Sequence, residues 1–273
     1  MSVRHLSLAL LWLGSLLVNA AGAETRMASS GQVQAEFSAQ PGEPCLANPR
    51  LKITRAGKTL LDAVPPQSEQ SPPCRFAALQ VVRLDKQPEP QVVLDFYTGG
   101  AHCCTYSLIY QFEPQSQTYK AFQHNWGNRG YRLQDLDGNG VMEFVSADDR
   151  FAYAFASYAA SPSPIQLWAY QPGKLVDITR QHPKLIYADA TRLWQAFQEI
   201  RPDCDPKSWG NCGEGILAAY LANKYLLGQA AAGWQKVRSV YQGNACDFND
   251  KCLGRESYFR ALETFLKQQG YAR

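Results

Sequence analysis

Between residues 32 and 183, apolar and polar side chains alternate in short runs broken by Gly, Pro, Asn and Asp, the two-residue period of half-buried strands. Val33-Gln34-Ala35-Glu36-Phe37 alternates strictly. Leu51-Lys52-Ile53-Thr54 and Thr59-Leu60-Leu61 flank Ala56-Gly57-Lys58 like the arms of a hairpin. Further strands are predicted at 79–84, 91–97, 106–112, 143–146, 151–158 and 165–170. Between them, the proline pairs Pro65-Pro66 and Pro72-Pro73 cannot support a ladder and read as an exposed loop. After Pro183 the period lengthens to that of helices. Leu193, Trp194, Phe197 and Ile200 follow Asp189, read as an N-cap, and the run stops at Arg201-Pro202. The stretch 216–232 offers Tyr220, Leu221 and Leu227 for a buried face. Tyr258, Phe259, Leu262, Phe265 and Leu266 keep helical spacing up to a stop at Gly270. These aromatic stripes read as core.

Within the β-rich part, a shift of 52 residues places Leu84-Asp85 on Leu136-Asp137 and Val92-Val93 on Phe144-Val145. Six more residues of gap set Leu108-Ile109-Tyr110-Gln111-Phe112 on 166–170. This weak repeat predicts two β units, each a few antiparallel strands beginning at an acidic turn. The expected class is therefore α+β: an antiparallel β domain over 24–183 and a helical unit over 184–273.

The clearest chemistry lies in Asp135-Leu136-Asp137-Gly138-Asn139-Gly140-Val141-Met142-Glu143. Asp135, Asp137, Asn139 and Glu143 place side-chain oxygens at alternate positions, and the Val141 carbonyl stands between them. Calcium takes six to eight hard oxygen ligands, and a tight loop with glycines lets alternate residues turn inward to supply them. Ser146 occupies the place of the bidentate glutamate of an EF-hand, so a β-hairpin calcium loop is expected instead. An Asp-Gly or Asn-Gly turn that binds nothing draws on the same residue types.

This nonapeptide, followed by a strand, resembles the FG-GAP or VCBS-type repeat of integrin α-chain-like propellers. The resemblance covers one repeat well and a degenerate second around residues 83–97. It implies blade-like units, and a structural calcium ion held by Asp135, Asp137, Asn139, Val141 and Glu143. The segment Gly99-Gly100-Ala101-His102-Cys103-Cys104 resembles a stretch of uncharacterised exported bacterial proteins carrying that repeat, which implies no particular activity.

Eight cysteines (Cys45, Cys74, Cys103, Cys104, Cys204, Cys212, Cys246, Cys252) favour disulfides if the chain is exported. Local spacing suggests Cys45 with Cys74, Cys204 with Cys212 and Cys246 with Cys252. For His102-Cys103-Cys104, four readings stay open: structural disulfides to distant partners, a vicinal disulfide, a soft-metal site and a catalytic thiolate. Neighbours on a strand point to opposite faces, which disfavours the last. Asp148 and Asp149 read as turn caps or outer-shell groups rather than paired acids, and His102, His124 and His182 show no mutual spacing. No Gly-x-Ser-x-Gly, His-Glu-x-x-His or phosphate-loop motif occurs.

Residues 1–23 change the picture of where all this happens. Arg4 and His5, an apolar run over 6–18 and Ala21-Gly22-Ala23 read as an export signal cleaved near Ala23, too short to span a bilayer. The net charge of +3 is spread evenly, giving no electrostatic case for nucleic acid. The expectation is a periplasmic or secreted, calcium-binding, non-catalytic binding or scaffolding protein whose ligand is a protein or glycan, with no transmembrane segment in the mature chain. The alternative is an envelope hydrolase or thiol redox/metal protein centred on His102-Cys103-Cys104.

Overall fold

The computed structural model describes residues 24–67, 71–101, 103–204, 212–243 and 254–272. The export segment, His102, Cys246 and Cys252 lie outside the described residues. Strands β1 (Glu24–Ser30), β2 (Val33–Gln40), β3 (Ala47–Arg55) and β4 (Lys58–Ala63) form a first antiparallel sheet in chain order. A second follows the same order with β5 (Arg75–Val82), β6 (Gln91–Tyr97), β7 (Thr105–Glu113) and β8 (Thr118–Gly127). A third comprises β9 (Arg132–Gln134), β10 (Glu143–Ala147), β11 (Ile165–Gln171) and β12 (Lys174–Asp177). The helices α1 (Pro183–Ile200), α2 (Glu214–Leu226), α3 (Ala230–Val240) and α4 (Gly254–Gln268) come last, giving an α+β protein.

Alternation explains how the sheets stack. On β2, Val33, Ala35, Phe37 and Ala39 point inward, joining Leu51 and Ile53 of β3. Opposite them stand Val92, Leu94 and Phe96 of β6 with Tyr106 and Leu108 of β7. The intervening positions of the second sheet, Val93 and Ile109, point the other way and pack with Phe144 and Tyr170 of the third sheet. Because β6 is covered on both faces, it reads as a continuous apolar run instead of an alternating one. Helix α1 lies against β11. The order of layers is thus first sheet, second sheet, third sheet, helices.

The structure departs from the sequence expectations at several elements. The repeat aligned β6 with β10 and β7 with β11, which occupy equivalent places in their sheets, but a further four-stranded unit, the first sheet, accompanies these two. The strand expected at 151–158 is instead a chain of turns and 3-10 turns. Its apolar residues are used for burial without a ladder: Phe151 packs on the helices, while Tyr153 takes a positive φ of 58°. Asp189 is not the cap of α1, which starts earlier with Pro183 in its first turn. Its carboxylate accepts instead from the Ile165 backbone N–H at 3.1 Å and from Asn223 Nδ2 at 2.7 Å, tying α1 to β11 and α2. The helical stretch at 216–232 is divided between α2 and α3.

Among the described residues no helix is long and apolar enough to cross a membrane.

Candidate functional site

Two places carry the chemistry anticipated from sequence. The first is the β9–β10 turn. Asp135 accepts backbone N–H groups of Gly138 (2.8 Å), Asn139 (3.1 Å) and Gly140 (2.8 Å). Gly138 and Gly140 make this turn possible by taking φ of 78° and 81°, where a side chain would be strained. Asp137 accepts from the Asn139 amide nitrogens, and Asn139 Oδ1 from the Val141 N–H at 2.7 Å. Glu143 Oε2 accepts from the Leu136 N–H at 2.9 Å.

All five expected ligands therefore share one turn, and its four oxygen-bearing side chains fold the loop upon itself. Among the described residues, however, no three His, Cys, Asp or Glu side chains gather closely enough to hold a metal ion. The electrostatics of the turn are uneven. Amide donors, Gly140 first, hold the Asp135 carboxyl below its usual pKa. Burial pushes the Glu143 carboxyl up, and the negative charges of Asp137 and Asp135 push in the same direction.

The second place is the region of the vicinal cysteines. Cys103 and Cys104 are bonded to each other just before β7, so neither sulfur is a thiolate for a soft metal or a nucleophile in this state. Thr98 clasps the ring from the other side: its hydroxyl accepts the Cys104 N–H at 2.7 Å and its own N–H donates to the Cys104 carbonyl at 3.0 Å. Cys45–Cys74 and Cys204–Cys212 are also joined, as their spacing suggested. Among the described residues no cysteine is free.

Cys104 lines a cleft of about 530 Å³ at the open end of the interface between the second and third sheets. Its walls include His124 and Trp126 of β8, Gln166 and Trp168 of β11, and Asp177 of β12. Alternation places His124 and Trp126, two residues apart, on one strand face, and does the same for Gln166 and Trp168. Asp177 stands directly across from Trp168 in the β11–β12 register. The His124 ring lies 4.2 Å from Trp126 and 5.7 Å from Trp168. Burial lowers the His124 pKa below its ordinary value.

Under this wall runs a buried polar chain. Trp126 Nε1 donates to Ser107 Oγ (2.7 Å), Ser107 donates to Asp95 Oδ1 (2.5 Å), and the Tyr131 hydroxyl donates to Asp95 Oδ2 (2.7 Å). The Trp126 ring also stacks on Phe144 at 5.2 Å. The aromatic wall is thereby fixed in orientation before any ligand arrives.

The neighbouring acids are committed elsewhere. Asp148 is buried and accepts from Arg150 Nε (2.7 Å) and Nη2 (2.5 Å) and from the Tyr271 hydroxyl (2.8 Å). It also caps the 3-10 turn that follows, the role expected of it. Asp149 accepts from Asn128 Nδ2 at 2.9 Å and faces Arg129 Nε at 3.4 Å. The cleft itself was not foreseen: β8, which carries two of its rings, has a polar sequence that escaped assignment as a strand, and its walls come from four separate strands.

Comparison with known proteins divides the chain at a similar place. Residues 186–270 match the sll0997 C-terminal domain family. The chain is 33% identical over 215 residues to "Probable thylakoid lumen protein sll0997" of Synechocystis sp., covering 73% of this chain and 62% of that protein. It is 31% identical over 265 residues to "Uncharacterized protein y4bJ" of Sinorhizobium fredii, covering 92% of this chain and 41% of that protein. The chain thus spans less than two thirds of either relative's length. No solved structure matches it. The matched family region holds most of α1, all of α2 to α4, and none of the cleft strands.

Proposed function

We propose that the chain is an extracytoplasmic, non-catalytic binding module, built of propeller-blade-like sheets of the FG-GAP or VCBS kind and stabilised by calcium at the β9–β10 turn. The observation that carries the calcium reading is the concentration of negative charge there. The Glu143 carboxyl is raised first by burial and further by the negative charges of Asp137 and Asp135. A divalent cation at this turn offsets that repulsion. Asp135, Asp137, Asn139, Glu143 and the Val141 carbonyl are oxygen donors of the hard type that calcium selects, and each carboxylate keeps lone pairs beyond those given to amides. This reading requires ion binding to draw these acids closer than the self-bonded turn holds them.

The binding reading is supported by the cleft, whose aromatic wall is open while Asp148 and Asp149 are engaged in structural bonds. The extracytoplasmic reading is supported by the disulfides and by the lumenal name of the Synechocystis relative.

Thermal unfolding in excess calcium and in excess chelator tests the calcium assignment. A ligand at about 100 times its Kd adds about 2.7 kcal/mol to the folded state alone, which for a chain of this size raises Tm by about 5–10 °C. Asp137→Ala is expected to abolish that shift. Equal midpoints with and without chelator in the unsubstituted protein would remove calcium from the function.

A further inference from the structure

We infer that the cleft between the second and third sheets is a binding site for a neutral saccharide, one sugar ring stacking on Trp168; this rests on the binding-module reading above. The volume of about 530 Å³ lies in the range of small-molecule sites. Three groups on one face of the third sheet are left with bonding capacity. The Trp168 indole N–H and the Gln166 amide have no hydrogen-bond partner among the described residues. Asp177 uses Oδ1 for the Thr179 N–H at 2.8 Å and keeps Oδ2.

Their placement follows from strand geometry. Gln166 and Trp168 are separated by about 7 Å along β11, and Asp177 faces Trp168 across about 5 Å. A flat apolar surface is thus flanked on one side by a group that both donates and accepts and on the other by an acceptor. A pyranose ring presents the complement: an apolar C–H face with partial positive charge for the negative face of the indole, and hydroxyls at its rim that both donate and accept.

Charge decides against anions and polycations. An anion would meet Asp177, while the one guanidinium in the lining, that of Arg150, is held by Asp148 at 2.5 Å. Asp149 is matched by Arg129 and Asn128. Among the described residues of the wall, Asp177 is then the one uncompensated charge, too little for a polycation and compatible with a hydroxyl-rich neutral ligand.

The test is titration of the full chain with maltotriose, cellotriose and chitotriose, followed by tryptophan fluorescence and by saturation-transfer NMR, with trialanine as the peptide comparison. At least one saccharide is expected to bind saturably with a Kd of about 1 mM or tighter. Trp168→Ala should weaken it by about tenfold or more, and Gln166→Ala, which removes no ring and spares the core, by about three- to tenfold. No saturable binding of any of the three saccharides, or affinity unchanged in both variants, overturns the inference. Trialanine binding that depends on Trp168 while no saccharide binds also overturns it, and in that case the binding-module reading survives.

Discussion

Asp95 is the one carboxylate set into the apolar run of β6, between the second and third sheets. Burial lifts its pKa to about 6 from an ordinary value of 3.8, against the lowering effect of the Ser107 and Tyr131 hydroxyls. Because the folded pKa lies above the unfolded one, the folded state binds the proton more tightly. Its contribution to stability is fully present below about pH 4 and is lost as the pH rises through about 6. A difference of about 2 pKa units corresponds to about 3 kcal/mol. Asp95→Asn keeps an acceptor for Ser107 and offers an N–H to Tyr131, whose hydroxyl rotates to accept. Urea unfolding at pH 4 and pH 7 should therefore show the wild type losing about 3 kcal/mol more than the variant between the two values. Parallel pH profiles would mean that the Asp95 pKa does not differ between the folded and unfolded states. A lone acid in 91–97 was visible in the sequence, but its partners lie 12 and 36 residues away, so nothing local announced a network.

At the scale of elements, what the sequence disclosed were features with local causes. The β3–β4 hairpin, the self-bonded turn at Asp135 and the span of α4 each depend on residues within a few positions of one another. Features that depend on distant partners were hidden. Asp189 looks like a cap because Asp favours caps, yet it serves contacts 24 and 34 residues away. The apolar residues at 151–158 look like a strand because alternation does not say whether a ladder partner exists. The cleft needed the register of four strands before it could be seen. The α2–α3 pair offers a sharper test of such close packing. A Cβ on Gly233 would stand 2.8 Å from Leu221 Cδ1 and 2.8 Å from Lys224 Cβ, and the latter cannot swing away. Alanine gains about 1 kcal/mol in helix propensity over glycine, whereas overpacking costs about 1–3 kcal/mol. Gly233→Ala is accordingly expected to destabilise by about 1 kcal/mol in chemical denaturation. A net gain equal to the propensity term would show that the helices can part without cost.

For the whole molecule, the decisive region is the irregular segment between β10 and β11, which packs against the helices. Phe151 meets Phe265 edge-on at 4.9 Å and Tyr271 at 5.6 Å. Phe155 meets Tyr258 at 5.7 Å and Phe265 at 5.2 Å. Alongside, the Tyr271 hydroxyl reaches Asp148 and Arg180 reaches the carbonyls of Leu226 and Tyr271. Phe151, Phe155 and Asp148 all precede residue 186, so the region matching the sll0997 C-terminal domain completes its core with residues from outside itself. The helices and sheets should then unfold together: far-UV circular dichroism, weighted to helix, and tryptophan fluorescence, which reports Trp126 and Trp168 as well as helical tryptophans, are expected to give coincident thermal transitions. Phe151→Ala removes a fully buried ring at the junction, at a cost of about 3–5 kcal/mol, and should lower the helical transition by about 10 °C while the fluorescence change of the sheet tryptophans lags behind it. Tyr271→Phe leaves the rings in place and takes one donor from buried Asp148, so it should cost about 1–3 kcal/mol with the two transitions still superimposed. If Phe151→Ala unfolds in one coincident step at the wild-type midpoint, the burial of Phe151 contributes nothing to holding the two parts together.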